Sequence, residues 1–398
     1  MLSVLAASAF ETGLHSLRAA WARVLATPAK TVTLPVDKGF VTVNIAGQEV
    51  RVFLDSLSYG LIVMDGHWYE AKYGEGACEA PDASCYFCPM EDPCDFTKEE
   101  EIMTADFADG TALQGVIRKG RLRLGDGREA SDFVFKIARA VSWPGSTRPH
   151  GFFGLSMMPP SSRSFRTRIS LEKESVLGSL LRHNVIHRLS YTLRPNSKQA
   201  SAHFCGRLTL GDSIDKSHKA RYVFPEWPDQ PSYHRAMPAL SVSTVELLDS
   251  QGRVMDGKSS IHQHNASFRV GVDTGSRSIF LPHPGVLQGI ERTLKRGMRE
   301  HGYGEELIGR SWHLNPYGVA FVALEFYKFL PVLRLRLEGG NDSVPIEIHP
   351  IHYCTLAQGE YVVIYVSQGD LGTLGTPFFV ACTVHVDHTD NTIALLKN

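Results

Sequence analysis

VFLDSLSYGLIV, Val52 to Val63, and VGVDTGSRSIFL, Val270 to Leu281, are the two stretches that decide the fold. Each runs from apolar residues into an aspartate (Asp55, Asp273), then a hydroxyl residue (Ser56, Thr274), then a second hydroxyl two places on (Ser58, Ser276). A further apolar run follows in both. About a hundred residues after each aspartate comes a hydrophobic-Gly step, Phe152-Phe153-Gly154 in the first half and Leu374-Gly375 in the second. The same parts in the same order predict a duplicated molecule with a pseudo-two-fold axis between its halves.

The sequence around these stretches has the period of β-sheets. Thr31–Pro35, Phe40–Ile45, Val50–Leu54, Gly115–Leu124, Phe133–Ile137, Phe268–Val272, Leu333–Leu337 and Tyr361–Val366 alternate or are rich in β-branched residues. Turns such as Ala46-Gly47-Gln48 and Gly125-Asp126-Gly127 separate them, so the fold class is all-β, without alternating βα units. Two helical patterns stand out. One covers 171–185, with Val176, Leu177, Leu180 and Leu181 on one face and Ser170 as its cap; the other covers 284–299, with Pro284 near its start. At 398 residues the chain suits two lobes. The polar stretch Leu193 to Ala202 is the natural seam, giving an N-terminal lobe at 30–193 and a C-terminal lobe at 194–398.

Composition narrows the function classes. Apolar residues make up 43% and charged residues 21%, which are globular values, and a formal net charge of −1 gives no reason for a nucleic-acid or membrane-surface partner. Arg163, Arg166 and Arg168 read as a solvated loop, and no apolar stretch is long enough to span a bilayer. Residues 1–29 are read as a signal, a propeptide or a surface helix: Ala7-Ser8-Ala9 has the form of a signal-peptidase site, and 10–26 is amphipathic.

Four of the seven cysteines, Cys78, Cys85, Cys88 and Cys94, crowd one polar segment. Cys85-x-x-Cys88 has zinc-ligand spacing, but the other gaps are irregular, so the expectation is a loop stapled by two disulfides in an oxidising compartment, with no metal or cofactor. Their connectivity is open. Cys354 and Cys382 are expected to form a third bridge, leaving Cys205 as the odd thiol. The glycosylation acceptors Asn265-Ala266-Ser267 and Asn341-Asp342-Ser343 are compatible with a secreted, extracellular or vacuolar glycoprotein.

One aspartate from each half, each ending a buried strand, would meet its counterpart between the lobes. Two carboxylates a few ångströms apart share one proton, because both cannot ionise comfortably. The ionised member can act as base on a water while the protonated one donates to a carbonyl.

Asp273-Thr274-Gly275-Ser276, preceded by Val270-Gly271-Val272, resembles the second active-site motif of the pepsin-like aspartic proteases, and Asp55-Ser56-Leu57-Ser58 lies where the first should be. Phe152-Phe153-Gly154, Leu374-Gly375 and the tail Val384–Leu396 resemble further parts of that family, and Phe107-Ala108-Asp109-Gly110-Thr111 resembles its flap. The Cys-rich insert is similar to that of the nepenthesin-like branch. The resemblance implies a bilobal monomer binding a peptide or protein in its cleft. It makes Asp55 and Asp273 the catalytic pair, Ser56 and Thr274 the bracing hydroxyls, and Ser58 a hydrogen-bond partner of the first carboxylate. Gly275 and Ser276 complete the support, and 107–111 the flap tip. Three positions depart from the family pattern: Leu57 replaces a Gly, Phe107 a Tyr and Ile62 a Trp. The two functions implied are an acid-pH endopeptidase and a protease-like binding or inhibitory module.

Overall fold

The molecule is described by a computed structural model covering residues 30–97, 102–107, 109–144, 147–157, 175–225, 237–255, 267–282, 285–339, 345–357 and 359–396. The expectations for residues 1–29, for Ala108, for the arginines of 163–168 and for both glycosylation asparagines lie outside these residues. Period-two patterning becomes strands throughout. In Val32–Val36, for example, Val32, Leu34 and Val36 are buried while Thr33 and Pro35 face solvent. Phe40–Ile45 and Phe268–Val272 form with the expected bounds, whereas Gly115–Leu124 grows to Ala112–Arg123 and Phe133–Ile137 to Glu129–Ser142. The turn at Ala46-Gly47 has both residues at positive φ, the geometry a two-residue hairpin needs.

The duplication is written in the sheet order. In the first half the strand ending at Asp55 (Gln48–Asp55) lies beside Phe152–Leu155, then Tyr59–Asp65, then Glu129–Ser142. In the second, Phe268–Val272 lies beside Gly372–Leu374, then Ile279–Leu281, then Val366–Gln368. The three contacts are parallel, antiparallel and parallel in both. Each hydrophobic-Gly step therefore enters the sheet between the aspartate strand and the strand that follows the aspartate.

A third, six-stranded sheet joins the halves, in the order Val32–Val36, Gly206–Leu210, Ser190–Pro195, Thr383–Asp387, Thr392–Leu396, Arg221–Val223. The expected seam begins inside its strand Ser190–Pro195, where Leu193 pairs with Leu208 on one side and Val384 on the other. Buried apolar side chains from both halves and from this sheet form one continuous core, the dominant stabilising term in a molecule of this size.

The helices are shorter than their patterns. The first spans Val176–Arg182 and its cap is Ser175, whose Oγ accepts from the Gly178 N–H at 3.0 Å; the expected cap Ser170 lies outside the described residues. The second spans Val286–Glu300, with Val286, Ile290 and Leu294 buried. No helix among the described residues is long and apolar enough to cross a membrane.

The Cys-rich segment is closed by two disulfides, Cys78–Cys85 and Cys88–Cys94. All four sulfurs are used, which leaves none as a zinc thiolate. The expected third bridge is overturned: Cys354 and Cys382 are buried free thiols. The Cys382 thiol is turned into its own chain, donating to the Phe378 carbonyl, and burial pushes its pKa up to about 12.

Candidate active site

Asp55 ends the strand Gln48–Asp55 and Asp273 directly follows the strand Phe268–Val272, and their side chains meet where the halves join. The two carboxyls lie close enough to shift each other's ionisation, and a β-carbon on Gly275 would stand 3.1 Å from Asp273 Oδ1 and 3.3 Å from Asp55 Cγ. The Asp55 Oδ1 also accepts from the backbone N–H groups of Leu57, at 2.9 Å, and Ser58, at 3.0 Å. Asp273 Oδ1 accepts from the Gly275 N–H at 2.8 Å, and the Ser276 N–H beside the same carboxyl favours its charged form. The Ser58 hydroxyl lies beside the Asp55 carboxyl and favours its charged form, yet no acceptor lies in good hydrogen-bond geometry for it. The Ser276 hydroxyl turns away and donates to the Ser278 carbonyl at 2.8 Å.

Under the carboxyls the two loops are laced together reciprocally. The Ser56 N–H donates to Thr274 Oγ1 at 3.0 Å, and the Thr274 N–H donates to Ser56 Oγ at 2.9 Å. Each hydroxyl passes its own proton across to the opposite half: Ser56 Oγ to the Val272 carbonyl at 2.7 Å, Thr274 Oγ1 to the Leu54 carbonyl at 2.8 Å. Four buried backbone groups are satisfied by two side chains, so neither loop can shift without stranding polar atoms of the other.

The glycines of the hydrophobic-Gly steps allow this closeness. A β-carbon on Gly154 would come within 2.6 Å of the Ser58 carbonyl, and one on Gly375 within 2.3 Å of the Ser278 carbonyl. Residues just beyond them hold the loops from behind. The Ser156 hydroxyl donates to the Ser56 carbonyl at 2.8 Å, and Thr376 donates from its N–H to the Ser276 carbonyl at 2.9 Å. Sequence reading passed over Ser156 and Thr376, though a hydroxyl within two residues of each such glycine was a visible signal. Tyr191 had none. It stands fully buried on the joining sheet, with its phenol against Ser56, and burial pushes its pKa far up.

Burial drives the electrostatics of the pair. Desolvation raises the Asp55 pKa against the pull of the Leu57 and Ser58 donors. Asp273, desolvated and facing the Asp55 charge, is pushed up to about 8. Asp55, which accepts from two backbone N–H groups where Asp273 accepts from one, is therefore the one to hold the charge, and Asp273 the shared proton. Titration belongs to the pair as a unit.

The other predicted residues divide. Phe107, Asp109, Gly110 and Thr111 form a turn between Met103–Asp106 and Ala112–Arg123. Phe107 N–H donates to the Thr111 carbonyl at 2.9 Å, and Asp109 Oδ1 accepts from the Thr111 N–H at 2.9 Å. The Phe107 ring stacks on Phe152, 4.7 Å between centroids, in an apolar cluster with Ile62 and Phe53. The two departures from the family pattern thus share one apolar contact region and need no hydroxyl partner. His150 packs among Phe53, Trp143 and Phe152 in the same region, and burial pushes its pKa down to about 4, which keeps it neutral above that pH.

Leu57 does not intrude between the carboxyls. Its side chain leans across to the second half, where a β-carbon on Gly271 would lie 2.7 Å from Leu57 Cδ1. Its backbone N–H keeps its bond to Asp55.

No family model and no curated protein sequence matches this chain. Its structure is similar to that of the aspartic proteinase from Irpex lacteus, with a TM-score of 0.62 at 12% identity over 92% of this chain and 97% of that one. At that identity the likeness is one of fold, and the fold is the bilobal pepsin-like one.

Proposed function

We propose that the chain is an aspartic endopeptidase that cleaves peptide bonds through a water activated by Asp55 and Asp273. The observation that carries this reading is the facing pair of carboxyls, both against Gly275, mounted on loops whose hydroxyls bond reciprocally across the two halves. Ionised Asp55 takes a proton from the water as it attacks the amide carbon, and protonated Asp273 gives its proton to the carbonyl oxygen. The resulting tetrahedral species collapses when the amide nitrogen is protonated, and no bond to the enzyme is made. Ser56, Thr274, Ser58, Gly275 and Ser276 hold the pair in place, and the turn at Phe107–Thr111 covers the substrate.

Two disulfides suit an oxidising compartment, and we place the protein in the secretory route, extracellular or vacuolar, as a monomer with lobes divided near residue 193. The nepenthesin-like affinity rests on the Cys-rich insert alone.

Hydrolysis of a denatured protein substrate, measured from about pH 3–5 upward into the range where Asp55 has ionised while Asp273 keeps its proton, below about 8, tests the reading. Asp273→Asn is expected to lower the rate by ~10³-fold or more, the scale of losing an acid–base group. Peptide binding with no hydrolysis, or hydrolysis untouched by the substitution, would replace the enzyme with a binding or inhibitory module.

A further inference from the structure

The two-fold relation makes Phe53 the counterpart of Gly271, each two residues before its aspartate, and Leu57 the counterpart of Gly275, each two residues after. The bulk is exchanged between these positions. The first half carries the aromatic ring of Phe53, buried in the cluster with Phe152 and the Phe107 turn. The second half has nothing at Gly271, and the isobutyl group of Leu57, reaching over from the first half, fills that place. A β-carbon on Gly271 would lie 2.7 Å from Leu57 Cδ1, 3.6 Å from Cδ2 and 3.8 Å from Cγ. The reverse exchange is closed to Gly275, where a β-carbon would stand 3.1 Å from Asp273 Oδ1 and 3.3 Å from Asp55 Cγ.

We infer that Leu57 and Gly271 are a matched pair, and that Leu57 is a specificity-determining residue on the second-half side of the carboxyls. Leu57 is only partly buried, so part of it is open to solvent two residues from Asp55. A substrate side chain entering there meets a branched apolar group supplied by the opposite half, anchored by a backbone N–H already bonded to Asp55. That arrangement favours a small residue at one position flanking the cleaved bond. The inference rests on the protease reading and adds to it the shape of the accepted substrate.

The test is a double-mutant cycle on the full chain with two readouts. In thermal unfolding, Gly271→Ala should lower Tm by ~3 °C or more beside Leu57, an overpacking effect, and should not lower it in a Leu57→Gly background. In digests of a peptide mixture read by mass spectrometry, Leu57→Gly should raise cleavage before or after large side chains by about tenfold relative to small ones, the discrimination a few methylenes supply. The exchange variant Leu57→Gly with Gly271→Leu should bring the original preference back. Equal Tm losses in both backgrounds, or an unchanged cleavage profile in Leu57→Gly, would overturn the pairing. Absence of hydrolysis in the unmutated chain would instead sink the protease reading, and the specificity role with it, while the unfolding cycle would still report the contact.

Discussion

In the first half the loop after the aspartate reads Asp55-Ser56-Leu57-Ser58, and in the second Asp273-Thr274-Gly275-Ser276. The backbone N–H two places on donates to each carboxyl, with the Ser58 N–H a second donor to Asp55, and the Ser56 and Thr274 hydroxyls make mirrored bonds of 2.7–3.0 Å. The side chains two residues past the aspartates differ completely. Gly275 sits so close to both carboxyls that any β-carbon would crowd them, whereas Leu57 has its exit over Gly271. The comparison teaches that the constraint in such a loop is on direction. A side chain is admissible where the opposite strand leaves it a place.

The largest effects should fall on the shared feature and be alike in both halves. Asp55→Asn and Asp273→Asn should each reduce kcat by ~10³-fold or more, since acid–base work needs both carboxyls, with folding retained by circular dichroism. A variant that kept a tenth of the activity would break the equivalence of the halves. The next pair should separate them. Gly275→Ala puts a methyl against both carboxyls and should lower kcat by about 10–100-fold with little change in KM, the signature of a displaced reacting group. Leu57→Ala keeps the loop backbone and should cost kcat less than about fivefold. Equal losses would mean that the two loops are equally intolerant and that Gly271 is no special accommodation.

Ser56→Ala and Thr274→Val probe the brace, with unfolding as the readout. Each strands a buried N–H and a buried carbonyl of the opposite loop, at a cost of about 2–4 kcal/mol. Similar losses are expected from the two. A double mutant no worse than either single one would show that the bonds act as one unit.

Much of this site was legible because the motifs carry its chemistry in residue type and order: an aspartate at a strand end, hydroxyls one and three places on, a hydrophobic-Gly step at matched distance. Those features fix which backbone groups can be bonded. What sequence did not disclose was lateral packing. Leu57 reads as an intrusion until Gly271, 214 residues away, is seen beneath its side chain. The Cys354–Cys382 bridge looked reasonable from pairing arithmetic, yet the direction of the Cys382 thiol, into the Phe378 carbonyl, is set by a short helix that no periodicity announces. Ser175 capped the helix given to Ser170 because a hydroxyl at either place suits a cap, and only the backbone decides.

A smaller and more general effect distinguishes the carboxyl pair from the surface. Asp55 and Asp273 have folded-state pKa values raised above those of an unfolded chain, so the folded molecule binds the extra proton. That contribution is whole below the unfolded value, about 4, and is lost as pH rises through the folded value, about 8 for Asp273. Tm should therefore fall between about pH 4 and 8, by ~2 °C or more, and Asp273→Asn should flatten the slope. Asp390 works in the other direction and at lower pH: although burial raises its pKa, the bond to Lys216 and the charge of Arg188 hold it below the ordinary value. A slope unchanged in Asp273→Asn would place the titration elsewhere.

The smallest effect is expected at Tyr191, and its smallness bears on the symmetry of the brace. Its phenol comes up from the joining sheet against Ser56, one of the two bracing hydroxyls. Ser56 Oγ already donates to the Val272 carbonyl and accepts from the Thr274 N–H, which leaves it a single free lone pair. The phenol is not aimed well enough to count as a full hydrogen bond. Tyr191→Phe should therefore change stability by less than about 1 kcal/mol, within the net value of one ordinary hydrogen bond, and lower kcat by under ~threefold. A tenfold loss in kcat at unchanged Tm would show that the phenol tightens onto Ser56 during turnover, making the first-half loop the more heavily supported of the two.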